Sequence, residues 1–199
     1  MAGKDPKGRL LEAAIEHIAS RGVSDLSLRE LAAAIGTSHR MLIHHFGGRE
    51  GLWVEVIRTV EERQRAALAE VLPEPGASGG DVMRQWWRHI SDPSLWPNER
   101  LFFELYGQAL QGRPGTVELL DGIVDAWLEP AAASFMGYGL SREEALAHAR
   151  LGVAVSRGLL LDLLATGNRE AVDAAMDAYI DVMERRLATQ LGQVLTDPD

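Results

Sequence analysis

Apolar residues recur at helical spacing along nearly the whole chain. Leu11, Ile15 and Ile18 fall on one face of a stretch that begins near residue 6, and a second apolar stripe runs through residues 52–60. Steps of three and four residues indicate amphipathic α-helices. Because no stretch of strand length alternates convincingly between apolar and polar residues, the pattern predicts an all-α fold of about nine helices.

Capping residues mark where the first three helices begin. Asp5 and Pro6 provide a cap and a first-turn proline for the first helix. Ser27 and Glu30 have the spacing of a capping box, in which each side chain accepts a hydrogen bond from a free backbone amide of the other residue. Ser38 can cap a third, short helix, which the following glycine pair ends.

The rest of the chain divides into longer helices and one linker. Residues 73–80 read Pro-Glu-Pro-Gly-Ala-Ser-Gly-Gly, a composition that is typical of a flexible connection. Pro130 is expected to kink or break its helix near Glu129. The predicted helices are 49–72, 81–91, 97–111, 115–136, 142–165 and 169–195.

Residues 27–46 have the pattern of two short helices joined by a tight turn. Ala32 is the small residue where the helices cross, and Gly36 makes the turn. This is the helix-turn-helix arrangement, in which the first helix braces the second and the second enters the major groove of DNA. The residues predicted to face inward are Leu31, Ile35, Leu42 and Phe46. The residues predicted to face outward are Thr37, His39, Arg40, Ile43 and His44.

Two stretches of this region carry a longer signature. They are SLRELAAAIGTS at positions 27–38 and LIHHFGGREGL at positions 42–52. Together they resemble the DNA-binding signature of the TetR family of transcriptional regulators, in order and without gaps over about residues 10–60. The resemblance implies an N-terminal three-helix DNA-binding domain and a C-terminal helical domain that binds ligand and dimerises.

The resemblance also implies a division of the chain and a mode of action. Residues 1–50 are expected to form the DNA-binding domain, 49–72 the connecting helix, and 73–199 the ligand-binding and dimerisation domain. A homodimer formed through the last two helices would bind a pseudo-palindromic operator in double-stranded DNA. Family members of this kind usually repress transcription and are released by a small-molecule effector.

Several site residues are assigned by the resemblance alone. Ser27 and Arg49 are expected to contact phosphates on either side of the recognition helix, with Arg49 replacing the more frequent lysine. His45 occupies the position of the signature histidine. Ile43 stands where the family usually has a tyrosine, so one backbone contact is in doubt, and contact with a thymine methyl group is the substitute that its apolar side chain allows.

Base reading is assigned first to Arg40, because its guanidinium fork can bind the N7 and O6 atoms of guanine. Thr37, His39 and Met41 are weaker candidates, and for Met41 packing between helices is favoured over base contact. The complete predicted DNA-binding set is Ser27, Thr37, Ser38, His39, Arg40, Met41, Ile43, His44, His45 and Arg49.

The formal net charge of −9 argues against a nucleic-acid partner until its distribution is considered. Residues 1–50 carry seven lysines and arginines against six acidic residues, whereas residues 51–199 carry 13 against 23. Charges farther apart than about 8–10 Å are largely screened at physiological salt, so a remote acidic body would repel DNA only weakly. The charge pattern is compatible with an N-terminal DNA reader on an acidic body.

Bulky aromatic residues are concentrated in the middle of the chain, where they could line a site for an apolar or aromatic effector. The predicted ligand residues are Trp86, Phe102, Tyr106, Trp127 and Arg157. Core packing is the alternative for each aromatic residue. In the last two predicted helices, small residues such as Gly158 and Ala178 would permit the close helix approach of a two-fold interface, with packing inside one chain as the alternative.

Other classes of protein have less support. The absence of cysteine excludes disulfides and thiolate sites, and no metal site or cofactor is predicted. No secretory or membrane segment is apparent, which predicts a cytoplasmic protein. A helical interaction module that does not bind DNA is one alternative, favoured only by Ile43 and the acidic total. A small all-α enzyme is another, but the sequence has no glycine-rich phosphate loop and no catalytic motif.

Overall fold

The computed structural model describes residues 5–21, 26–70 and 78–196, and these fold into nine α-helices with no strand among them. Two short 3-10 helices, Pro93–Leu95 and Val117–Leu120, precede α6 and α7. The all-α prediction is confirmed. None of the described helices is long and apolar enough to span a membrane. The helices are α1 Pro6–Arg21, α2 Leu28–Ala34, α3 His39–Phe46, α4 Arg49–Glu70, α5 Gly79–Ile90, α6 Trp96–Leu110, α7 Asp125–Gly137, α8 Arg142–Thr166 and α9 Arg169–Thr196.

The chain divides into two compact units. The first unit comprises residues 1–64 and 93–123, and the second comprises residues 65–92 and 124–199. The first unit therefore contains α1–α3, most of α4, and α6. The division falls inside α4, between Gln64 and Arg65. The predicted division of roles, with DNA binding in residues 1–50 and ligand binding with dimerisation in 73–199, stays a prediction.

The core of the first unit is built from the apolar stripes that the sequence predicts. Ile18 on α1, Leu31 on α2 and Leu42 on α3 are fully buried, and so are Leu52 and Ile57 on α4. α1 packs against α2 and α6. Helices of seven or eight residues are unstable on their own, so the removal of these apolar side chains from water is the main contribution that stabilises them.

The second unit has its core between α7 and α8, with α9 packed against α5 and α8. The indole Nε1 of Trp87 donates to Asp173 at 2.8 Å, and Arg84 contacts Asp177 at 3.2 Å and Asp181 at 3.1 Å. These polar contacts connect α5 to α9. The buried residues of the α7–α8 core are Leu128, Ala132, Leu140, Ala145 and Ala149.

The prediction of one helix over 115–136 is wrong. A 3-10 helix occupies Val117–Leu120, a turn follows in which Gly122 has φ +71°, and α7 begins only at Asp125. Leu119, Ile123 and Trp127 are all buried at intervals of four residues, so helical periodicity continues across the break. Pro130 lies inside α7, so the helix does not break at this proline, and the alternative of a kink near Glu129 stays a prediction.

The predicted linker is shorter at its C-terminal end than expected. α5 begins at Gly79 because Ser78 and Asp81 form a capping box, with the Asp81 amide donating to Ser78 Oγ at 3.1 Å and the Ser78 amide donating to Asp81 Oδ2 at 3.0 Å. Residues 78–80 are therefore ordered by α5. The rest of the predicted linker, 73–77, lies outside the described residues, as do positions 71–72 of the predicted connecting helix.

Candidate functional site

The capping box predicted at the start of α2 is present. The Glu30 amide donates to Ser27 Oγ at 3.2 Å, and the Ser27 amide donates to the Glu30 carboxylate at 2.9 Å. Hydrogen bonds to the Glu30 carboxylate, first from the Ser27 side chain and then from the Ser27 backbone amide, hold the pKa of Glu30 below its ordinary value. Ser27 itself is exposed. The cap therefore places an exposed hydroxyl at the N-terminus of α2, where the helix dipole favours phosphate.

α3 is capped at its start and anchored by its inner face. Ser38 Oγ accepts a hydrogen bond from the Met41 amide at 3.2 Å, and the helix ends at Gly47. Leu42 and Phe46 are buried on the inner face. The Lys7 ammonium lies 5.5 Å from the Phe46 ring centroid and 2.6 Å from Glu55, so α1 also braces this end of the helix.

The outer face of α3 presents a mixed polar and apolar surface. Met41 is 40% exposed and Ile43 is 43% exposed, although both side chains are large and apolar. Arg40 is exposed and has no ion-pair partner among the described residues. The other exposed predicted residues are Ser27, Ser38 and His44, and the partly buried ones are Thr37, His39, His45 and Arg49. Exposed guanidinium and apolar groups on one short helix suit guanine edges and thymine methyl groups respectively.

His45 and Arg49 have a different environment from the outer face. The His45 Nε2 and Arg49 Nε atoms are buried without a hydrogen-bond partner among the described residues. The His45 ring packs edge-on against the His44 ring at 5.0 Å between centroids. His45 on α3 and Arg49 at the start of α4 therefore keep hydrogen-bonding capacity. Their predicted contacts with DNA stay a prediction.

The recognition helix α3 and the helix α4 are joined by a short, tightly packed turn. The Leu52 amide donates to the Gly48 carbonyl oxygen at 3.2 Å, so the first turn of α4 forms directly after the turn that ends α3. A Cβ atom at Gly51 would meet the backbone carbonyl oxygen of Phe46 well inside the 3.0 Å separation that real Cβ atoms keep. The orientation of α3 is therefore set by the first turn of α4.

The five predicted ligand residues are divided between the two units. In the second unit, Trp86 and Trp127 lie 5.5 Å apart between ring centroids, and Arg157 is partly buried. In the first unit, the Phe102 and Tyr106 rings stack at 5.4 Å. Trp86, Trp127 and Phe102 are buried, as the core-packing alternative requires. Their part in ligand binding stays a prediction.

The first unit also contains three buried polar residues that the sequence pattern does not predict. Gln64 donates to the Glu99 carboxylate at 2.7 Å, and both residues are buried. Asn98 is 5% exposed, and its Oδ1 atom has no hydrogen-bond partner among the described residues. No sequence signal marks these residues, since charged and amide side chains at the start of a helix are usually exposed.

Replacement of Asn98 by leucine is expected to stabilise the protein. An unpaired buried amide oxygen costs about 1–3 kcal/mol, so its removal should raise the free energy of unfolding by about 1 kcal/mol in a urea titration. Asn168→Leu is the matched control, because Asn168 Oδ1 accepts from the Ala171 amide at 3.2 Å and caps α9. The control should lose about 1 kcal/mol. A loss of stability in Asn98→Leu would mean that its carboxamide is satisfied in the folded protein.

Comparison with known proteins agrees with this geometry. Residues 10–56 match the family model of bacterial regulatory proteins, tetR family. The HTH-type transcriptional regulator BetI 1 of Chromohalobacter salexigens is 25% identical over 195 residues, which cover 95% of this chain and 94% of that protein. A transcriptional regulator from Rhodococcus sp. Rha1 has a similar fold, with a TM-score of 0.71, 23% identity, and coverage of 89% of this chain and 95% of that one. The TetR family repressor AlkX from Dietzia sp. is similar with a TM-score of 0.59, 16% identity, and coverage of 95% and 98%.

A capped, outward-facing α3 on a three-helix head defines the class of helix-turn-helix DNA-binding proteins. Residues 10–56 match the tetR family model, and the chain is similar over its length to a transcriptional regulator, so the resemblance to the TetR family is confirmed. The proteins that it resembles are transcriptional regulators, a class that is not enzymatic. The expectation of a TetR-family fold is confirmed.

Proposed function

We propose that the protein is a repressor that binds a pseudo-palindromic operator as a homodimer and is released by an apolar or aromatic effector. The observation that carries the proposal is the outer face of α3, where Arg40, Met41 and Ile43 are exposed on a capped helix braced from below. A similar fold in a protein described as a TetR family repressor supports repression. BetI 1, which the chain resembles over its length, is a transcriptional regulator.

Support for the homodimer comes from exposed apolar stripes on α8 and α9. Leu161 is 52% exposed on α8, and Val182 is 55% exposed on α9. Steps of three and four residues keep each stripe on one face of its helix, the spacing at which helices pack in two-fold bundles. The exposed stripe residues are Ala147, Leu151, Ala154, Gly158, Leu161 and Ala165 on α8, and Ala171, Ala174, Ala175, Ala178 and Val182 on α9.

Release by an effector is proposed as a shift between two spacings of the recognition helices. In a dimer, two recognition helices read successive major grooves when they lie about 34–36 Å apart. An effector lowers operator affinity only if it binds the other spacing more tightly. Within the second unit, the Trp86–Trp127 pair is the proposed contact for its apolar body and Arg157 is a proposed polar anchor. The Phe102–Tyr106 pair of the first unit is a separate candidate contact. The effector proposal fails if a compound that binds these residues leaves operator affinity unchanged.

Selection of bound sequences from a pool of random duplex DNA tests the DNA-binding proposal. The expected result is an enriched inverted repeat whose affinity falls steeply with salt, because phosphate contacts release counterions. Enrichment of a single half-site without a repeat would contradict binding as a dimer. No enrichment, with weak binding at every salt concentration, would favour a regulator that acts through a protein partner.

Arg40→Ala is expected to weaken binding to the selected duplex by about 1–3 kcal/mol and to relax the sequence preference at one position of each half-site. The reason is the loss of a bidentate contact to a base edge. The measurement is fluorescence anisotropy on the selected duplex and on duplexes changed at single positions. Arg88→Ala, which removes an exposed arginine from α5, is the control and should bind as the wild type does. Equal weakening on every sequence would assign Arg40 to phosphate instead.

A further inference from the structure

A segment that follows α6 contacts the first half of α4 at three points. The Arg113 guanidinium lies 3.3 Å from the Glu50 carboxylate, and the Arg58 guanidinium donates to the Glu118 carbonyl oxygen. A Cβ atom built on Gly115 would lie 3.1 Å from the Cβ of Glu50, so the backbone at this glycine rests against α4. We refer to residues 111–118 as the clamp segment. Its contacts cover α4 from its first turn to its third.

The clamp segment is itself held in one conformation. Thr116 is fully buried, and its Oγ1 donates to the Arg113 carbonyl oxygen at 2.9 Å. The Arg113 amide donates to the carbonyl of Gln108, at 3.1 Å, which connects the segment to the last turn of α6. Gly115 has φ +84°, a left-handed conformation that side chains with a Cβ rarely adopt. The segment is therefore a fixed turn that connects the end of α6 to α4.

The site of contact lies directly beside the DNA-binding residues. Glu50 follows Arg49, the arginine expected at phosphate, and Gly51 attaches the same turn rigidly to the end of α3. An acidic side chain next to a phosphate contact opposes DNA binding unless a cation holds it aside. The Arg113 and Glu50 side chains are 51% and 35% exposed, so solvent screens the pair and its contribution to folding stability is small.

We propose that the clamp segment orients the recognition helix and that Arg113 is a positioning residue for DNA binding, which acts through Glu50. By holding the Glu50 carboxylate, Arg113 keeps the first turn of α4 in the orientation that presents α3. It also keeps the acidic charge of Glu50 away from phosphate. Arg113 does not itself contact DNA. Its effect is on operator affinity far more than on stability.

A double-mutant cycle with Arg113→Gln and Glu50→Gln tests this assignment on the selected duplex. Arg113→Gln is expected to weaken binding about three- to fivefold in the wild type and to have no effect in the Glu50→Gln background. The slope of affinity against salt should stay unchanged, whereas loss of a direct phosphate contact would reduce it by about one. Thermal unfolding should be unchanged in all four proteins.

Arg142→Gln is the control, because Arg142 pairs with Glu129 in an exposed ion pair of the second unit. It should bind DNA as the wild type does. Equal weakening by Arg113→Gln in both backgrounds would mean that Arg113 acts independently of Glu50, and no weakening in either would mean that the clamp has no role. Both results would overturn the proposal.

Hydrogen exchange gives a readout that does not depend on finding an operator. Arg113→Gln is expected to speed exchange of the amides of residues 47–52 in the wild-type background but not in Glu50→Gln. Failure of the selection experiment would concern the proposed function, while unchanged exchange in Arg113→Gln would count against the clamp. The two failures are therefore distinguishable.

Discussion

Gly51→Ala is expected to lower operator affinity at least about 100-fold. The added methyl group would overlap the backbone carbonyl oxygen of Phe46, and a backbone atom has no alternative rotamer to adopt. The end of α3 must therefore move relative to α4. Overpacking of this kind costs about 1–3 kcal/mol of folding free energy. Fluorescence anisotropy on the selected duplex and urea unfolding measure the two effects.

Gly107→Ala is the control for this prediction. Gly107 lies within α6, and a Cβ atom there would meet nothing within 4 Å. Alanine is a better helix former than glycine by about 0.5–1 kcal/mol, so the control should be slightly more stable than the wild type and bind DNA equally well. Wild-type affinity in Gly51→Ala would show that the junction between α3 and α4 can open without cost to DNA binding.

The double variant Leu161→Glu with Val182→Glu is expected to be a monomer at micromolar concentration. Both side chains belong to the exposed stripes of α8 and α9, and carboxylates facing each other across a two-fold axis would repel and lose solvation. Affinity for the full inverted repeat should fall about 10²- to 10⁴-fold, because the second recognition helix no longer binds in the same molecule. Sedimentation equilibrium measures the oligomeric state.

Two comparisons make the result specific to the dimer. Affinity for an isolated half-site duplex should be the same in the double variant and the wild type, since helices α1–α3 are unchanged. Leu110→Glu alters a side chain that is 65% exposed in the first unit, outside the α8 and α9 stripes, and should leave the dimer intact. A double variant that sediments as a dimer would place the interface elsewhere on the chain.

Local chemistry explains which parts of the fold were predictable. The capping box at Ser27 and the cap at Ser38 lie where their sequence spacing indicates, because a cap depends only on residues three positions apart. The same dependence on local pattern produced the wrong helix over 115–136. Leu119, Ile123 and Trp127 keep helical spacing because each meets a core, and periodicity reports burial rather than continuity of the backbone.

The DNA-binding candidates were visible in the sequence for a related reason. Two short helices with a fixed turn form one local motif, so inward and outward positions follow from helical spacing and from the match to a family signature. Leu31 and Leu42 are buried and Arg40 and Ile43 are exposed, as predicted. Met41 is 40% exposed, so the prediction that it packs between helices is wrong.

By itself, the sequence determined an all-α chain, the helix-turn-helix and its exposed face, because each depends on residues within one or two helical turns. Only the tertiary structure decided that Arg113 meets Glu50, 63 positions away, and that Gln64 meets Glu99, 35 positions away. It also decided that α6 lies in the same compact unit as α1, α2 and α3. Such contacts join side chains far apart in the chain, so they depend on how the helices pack together, which neither periodicity nor capping encodes.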